Sequence, residues 1–218
     1  KQIYSKEELA LMVWFASDGT LSGNQVCFHL RKERKKKSIV SLLEYLGIEY
    51  SFSQYNDSFS IRFESPSWVY DCYTEYGFKK LPKNSLYMDM ESYNFVKAAI
   101  LESDGSAKNQ DFNNCSKVYA EQIQILAHLH NDSMNLRYYD KGGNASRLYK
   151  SSFKTTNYIS LRRDNDVFSS EVVNCKVYCV SVPDKFIMVR RGGIVHISGN
   201  CELLTHRMLS KNCSSSRA

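Results

Sequence analysis

Asp18 and Asp104 are the residues whose type and spacing most suggest chemistry. They stand 86 positions apart, each inside a Ser-Asp-Gly triplet, Ser17-Asp18-Gly19 and Ser103-Asp104-Gly105. Each triplet closes an apolar run of helical length, residues 9–16 in the first case and 95–102 in the second. One Asp-Gly is an ordinary turn signal. The same dipeptide at matching places of two similar segments implies an internal duplication. If the two helices pack side by side about a pseudo-twofold axis, their C-terminal ends bring two carboxylates together. Carboxylate oxygens suit a hard cation such as Mg²⁺, so Asp18 and Asp104 are the candidate metal ligands. A second charged feature is the run Arg31-Lys32-Glu33-Arg34-Lys35-Lys36-Lys37, with six basic residues in seven positions. It suits either a phosphate backbone or the solvated start of a helix.

The elements that must position these residues follow from periodicity. Residues 6–17 read as a helix apolar on several faces through Leu9, Leu11, Val13, Trp14 and Phe15, hence a buried one. Gly19 is its expected stop, in the left-handed conformation that ends many helices. After the turn signal Ser22-Gly23-Asn24, Val26 to Leu30 suits a strand. Ile39, Leu42, Leu43 and Leu46 mark a helix over 38–46 ended by Gly47. Residues 58–63 alternate as a strand, and Trp68, Val69, Cys72, Tyr73 and Tyr76 form a helical stripe ended by Gly77. A linker over 78–84 leads to the second copy: a helix from about 91 to 103, an amphipathic helix over 118–130, a loop at 141–144 and a closing strand over 158–163. The class is α+β. The expected domains are 1–80 and 81–170 for the two repeats, a β-rich segment over 171–200, and a separate piece from 201 to 218.

Bulk properties bound the function. The chain has 218 residues, 43% of them hydrophobic, and a formal charge of +6, enough for a sizeable core and compatible with an acidic partner. No apolar run approaches the roughly 18 residues of a membrane span, and no secretory leader is evident, so an intracellular, soluble monomer is expected. The seven cysteines are scattered without a Cys-x-x-Cys pair, which argues against a disulfide framework and a zinc site. With Lys1 first and no Met, the chain is expected to be part of something longer.

An apolar helix ending in a small residue and Asp-Gly, repeated once and followed each time by strands and a helix, resembles the LAGLIDADG homing endonuclease family over residues 6 to about 165. The resemblance implies two pseudo-symmetric repeats of αββαββα type. It also implies metal-dependent cutting of both strands of double-stranded DNA at a long site, with Asp18 and Asp104 as catalytic metal ligands and Mg²⁺ as cofactor. Ala98, Ala99 and Ser103 suit a close helix crossing, whereas Val13 stands where the family has Gly. His29 and Asn113 fall near the place of a water-holding polar residue, and Arg162 or Arg163 near that of an assisting basic residue. Gln25, Cys27, His29 and Arg31 on one strand and Ser60 and Arg62 on another are the expected DNA-facing residues, joined by Lys32, Arg34 and Lys35 of the basic run. A DNA-binding scaffold that has lost its nuclease, and an RNA maturase on the same fold, are the alternatives.

From Lys176 onward the chain is β-rich, and residues 186–200 pattern as a hairpin through Arg190-Arg191-Gly192-Gly193. Together with Gly199-Asn200-Cys201 this resembles the C-terminal end of an intein. The resemblance implies that Asn200 cyclises to release the chain and that Cys201, the first residue of the host extein, accepts the upstream segment. The partners implied are the N-terminal half of the intein and the host protein. Gly199 replaces the usual penultimate His, with His196 as a substitute, and Cys179 stands where many inteins have Asp.

Overall fold

The computed structural model describes residues 3–139, 148–154, 186–191 and 193–199. Chain contacts divide it into two compact units, Lys1–Thr156 and Asn157–Ala218. In the first, α1 (Lys6–Asp18) starts at Ser5, whose hydroxyl accepts from the Glu8 amide while the Glu8 carboxylate accepts from the Ser5 amide. This reciprocal cap satisfies two of the donors a helix start leaves open. Every residue from Leu9 to Ala16 is buried, as expected for a helix apolar on all faces.

The strands β1 (Gly19–Ser22) and β2 (Gln25–Leu30) form a hairpin. Gly23, at φ +61°, supplies the left-handed residue that its two-residue turn requires. Next come α2 (Glu33–Tyr45), β3 (Tyr50–Tyr55) and β4 (Ser58–Glu64). The sheet is antiparallel in the order β1-β2-β4-β3. Strand β3 has no counterpart in the sequence reading, because it is an edge strand exposed over nearly its whole length and lacks the apolar alternation that betrays a strand. Helix α2 begins five residues before the expected Ser38.

The second half repeats this plan with α3 (Met90–Ser103), β5 (Gly105–Ser106), β6 (Asp111–Asn114), α4 (Lys117–Leu129), β7 (Arg137–Tyr139) and β8 (Leu148–Ser152). Asp89 and Ser116 cap α3 and α4 by accepting from the amides of Ser92 and Tyr119. The second sheet runs β5-β6-β8-β7, the order of the first. Identical order in two sheets formed by consecutive segments is the structural form of the duplication. The strand paired with β6 is β8, ten residues ahead of the strand expected over 158–163, and that expected strand lies outside the described residues.

Two other expectations need correction. The stripe through Trp68 and Tyr76 is not an α-helix but a 3₁₀ turn, Ser67–Cys72. Tyr73 is already extended and bridges to Lys79, and Gly77, at φ +76°, turns the chain back. The stripe therefore ends early because the segment doubles back under α1. Gly19 is not left-handed either. Its φ of −77° and ψ of 158° are extended. Glycine is needed there for space: a Cβ would lie 2.6 Å from the Phe15 side chain and 2.8 Å from its Cα. At Gly105 a Cβ would lie 2.1 Å from the Asp111 carbonyl oxygen.

Helices α1 and α3 pack against each other at the centre of one core that includes Val13, Trp14, Phe28, Ile61, Val96, Ile100, Phe112 and Tyr119. Ala99 is buried, but Ala98 points to solvent, so only one of the two alanines serves close packing. Among the described residues Cys27, Cys72 and Cys115 are free thiols, and no helix is long and apolar enough to cross a membrane. In the second unit, β9 (Phe186–Arg191) and β10 (Ile194–Gly199) pair antiparallel from Arg191↔Ile194 to Phe186↔Gly199. This is the hairpin that the pattern predicts. The run 176–183, Asn200 and Cys201 lie outside the described residues.

Candidate active site

The C-terminal ends of α1 and α3 meet through two serines. Ser17 Oγ donates to Ser103 Oγ at 3.2 Å, and Ser103 Oγ in turn donates to the Ile100 carbonyl at 3.2 Å. Each serine precedes an aspartate, so Asp18 and Asp104 stand at the touching ends of equivalent helices. The two carboxylates feel each other: Asp18 is among the charges that raise the Asp104 pKa.

Their surroundings differ. Asp18 Oδ2 receives Lys35 Nζ at 2.5 Å, with side chains 26% and 12% exposed respectively. Asp104 Oδ2 instead receives Nδ2 of Asn114, on β6, at 2.5 Å. The Asp104 carboxyl lies above the ordinary aspartate value, first because it is buried and then because Asp18 repels its charge. The hydrogen bond from Asn114 and the charge of Lys35 oppose that rise.

Cations converge on these helix ends from elsewhere in the chain. Neither α1 nor α3 has a basic residue in its own last turn, where a cation would complement the partial negative charge of the C-terminal carbonyls. Arg34 Nη1 donates to the carbonyl of Glu102 at 2.5 Å, and Ser38 Oγ donates to the Glu102 carboxylate at 2.6 Å. Lys79 Nζ donates to the carbonyl oxygens of Phe15, at 3.2 Å, and Gly19. Burial lowers the Lys79 pKa, and the charges of Asp18 and Asp104 partly restore it. The basic run is therefore neither wholly solvated nor wholly free for phosphate. Its start at the N-terminus of α2 is unfavourable to the helix dipole and has no side-chain cap. Tertiary pairing of Arg34 and Lys35 with the ends of α3 and α1 offsets that local cost.

The other expected residues are placed as follows. Gln25, His29 and Arg62 are exposed on the first sheet, with His29 paired to Ser60 and Arg62 to Cys27, which is buried. Arg31 and Lys32 are exposed just before α2. Asn113 gives only its backbone, its amide donating to the Asp104 carbonyl oxygen at 2.9 Å, while the contact with the carboxylate comes from its neighbour Asn114. Arg162 and Arg163 lie outside the described residues. Lys79 falls in the stretch 78–84 that patterns as a linker, and neither it nor Asn114 carries a signal in the sequence. A cavity of about 280 Å³ beside the second sheet, lined by Arg137, Lys150 and Lys154 among others, carries none either. The spacing of ten residues from Asp104 to Asn114 has its counterpart in nothing the first copy displays, so only the fold could reveal it.

Two carboxylates with oxygen-only chemistry fit a hard divalent cation. Among the described residues no group of three or more His, Cys, Asp or Glu side chains converges. Further oxygens for such an ion would therefore come from backbone, substrate or water.

No family model matches the sequence, and no curated protein matches it. Among solved structures, low-identity matches cover about two thirds of the chain. The N-terminal LAGLIDADG domain of DUF199/WhiA is 12% identical with a TM-score of 0.46, covering 68% of this chain and 76% of that one. I-DmoI in complex with DNA and Mn is 11% identical with a TM-score of 0.45, covering 68% and 89%. Full-length DUF199/WhiA from Thermatoga maritima is 12% identical with a TM-score of 0.46, covering 69% and 52%.

Proposed function

We propose that residues 6 to about 165 are a LAGLIDADG-type endonuclease domain that cuts double-stranded DNA with the help of Mg²⁺. The observation that supports this reading is the contact of Ser17 with Ser103 at the ends of two packed, duplicated helices, each serine directly preceding one of the aspartates. Asp18 and Asp104 would hold the cation, which when bound supplies an acidified water and offsets charge on the phosphate oxygens. Asn114 fixes the rotamer of Asp104 through its amide, and Lys79 braces the end of α1 beneath Asp18. The exposed row of Gln25, His29 and Arg62 on one sheet and Arg137 and Lys150 on the other would take the duplex.

Incubation with Mg²⁺ and the host coding sequence closed across the insertion point is expected to give a double-strand cut. Absence of cutting, with Asp18→Asn indistinguishable from the parent, would refute the nuclease. A second reading is supported by the Lys35–Asp18 pair, which already balances one carboxylate internally. In that reading the domain binds DNA and no longer cuts it. Tight, salt-sensitive binding without cleavage at any Mg²⁺ concentration would select it.

For the C-terminal segment the proposal is an intein end, with Asn200 cyclising and Cys201 as the first host residue. The β9–β10 hairpin directly before Asn200 supports it. When the N-terminal intein half is supplied, ligation is expected, and Asn200→Ala is expected to block release of the segment beginning at Cys201. Unimpaired release in that variant would remove the assignment.

A further inference from the structure

We propose that Lys35 is an internal counter-ion that occupies the cation position beside Asp18 and must leave it before a divalent ion can bind there. This inference rests on the reading of Asp18 and Asp104 as a metal centre. Lys35 is not a casual surface partner. Its ammonium lies 2.5 Å from Asp18 Oδ2, with only 12% of its side chain exposed. It also lies 5.8 Å from the centre of the Trp14 ring, whose face favours a cation.

The helix that carries it is held in place on both sides. One residue earlier, Arg34 is bonded to the Glu102 carbonyl at 2.5 Å, and three residues later Ser38 is bonded to the Glu102 carboxylate at 2.6 Å. The first turns of α2 are thus fastened to the end of α3, and Lys35 between these fasteners is directed at the end of α1. A contact held in this way loses little entropy on forming, unlike an exposed ion pair between mobile side chains.

The consequence is competition. An ammonium and a divalent ion cannot share one carboxylate oxygen at contact distance without strong mutual repulsion. Binding of a cation at Asp18 therefore includes the cost of breaking a charge-assisted, partly buried bond, which lowers the affinity of the centre. Asp104 has no ammonium bonded to it: its hydrogen-bond partner is the neutral amide of Asn114, although the charge of Lys35 also acts on it. Lys35 thereby acts as a positioning residue that sets cation affinity and makes the two carboxylates unequal.

The test uses the full chain and Mn²⁺, with free Mn²⁺ counted by electron paramagnetic resonance, so that no cleavage is needed. Lys35→Met is expected to bind Mn²⁺ about ten-fold or more tightly than the parent, and Asp18→Asn in the same background is expected to abolish the gain. Lys35→Gln, which keeps a hydrogen-bond donor without the charge, should behave like Lys35→Met, and circular dichroism establishes that each variant is folded. Lys36→Met removes an equal charge one residue along and should leave affinity unchanged. If the parent binds Mn²⁺ in an Asp18-dependent way and neither Lys35 variant binds it more tightly, the competition is refuted while the metal centre stands. If no variant binds Mn²⁺, both are refuted. If Lys36→Met gains as much as Lys35→Met, the effect is one of net charge and the proposal fails.

Discussion

Asp18 and Asp104 end equivalent helices, yet each is balanced by a different kind of group from a different element. The first faces an ammonium brought by α2, the second a neutral amide brought by β6. The duplication fixes where the two carboxylates stand, and the divergence of the copies fixes how readily each one carries charge. A pair of this kind is symmetric in position and asymmetric in electrostatics. In the proposed nuclease such asymmetry would make the two halves of the centre unequal in cation affinity.

The comparison is broken most severely by removing either carboxylate. Asp18→Asn and Asp104→Asn are each expected to lower cleavage about 10³-fold, the scale of losing a principal electrostatic group, as measured by single-turnover cutting. Loss in only one variant would make that half alone the chemical centre. Next come the glycines that follow the aspartates. Gly105→Ala drives a methyl against the backbone oxygen of Asp111 and is expected to cost about 3 kcal/mol or more in denaturant unfolding. Gly19→Ala meets chiefly Phe15, whose ring can shift in part, and should cost about 1–3 kcal/mol. An equal cost at both would mean that the first hairpin has no more freedom than the second.

The charge asymmetry is sharpened by pH. Burial and the charge of Asp18 hold the Asp104 carboxyl above its ordinary value of 3.8, so the folded chain binds this proton more tightly than the unfolded chain. Its contribution to stability therefore falls as pH rises from the ordinary aspartate value through the folded one. Asp104→Asn is expected to flatten that decline in Tm as pH rises above the ordinary aspartate value. Asp18→Asn should reduce it, since one source of the rise is removed and Lys35 is freed. An unchanged slope in both variants would show that the carboxylates do not interact. The smallest effect concerns the sheets: Arg62→Ala and Lys150→Ala should each weaken binding to a generic duplex a few-fold and lower the salt slope by about 1. A response to Arg62→Ala alone would confine DNA contact to the first sheet.

Much of the fold was legible because it is written in local patterns. The buried helices α1 and α3 declare themselves by apolar runs, α4 by its stripe through Tyr119, Ile123 and Leu126, and the β9–β10 hairpin by its Gly-containing turn. Strands β3 and β7 were not legible, since an exposed edge strand needs no apolar alternation. The Trp68 stripe misled because Trp68, Val69 and Cys72 are buried from a single 3₁₀ turn, which shares much of the helical spacing. Gly19 misled because the dipeptide Asp-Gly signals a left-handed stop, whereas here the requirement is room against Phe15.

The sequence by itself determined that a segment occurs twice, that each copy delivers one aspartate at the end of an apolar helix, and that a dense basic run follows the first. Those are properties of residue order, and periodicity and composition read them directly. Only the tertiary structure decided which groups answer the two carboxylates. Lys35 lies 17 residues from Asp18, Lys79 60 from Gly19 and Asn114 10 from Asp104, and nothing local distinguishes them from solvated neighbours. Electrostatic balance at a buried point depends on distance and dielectric in space, and chain order carries neither until the helices have packed.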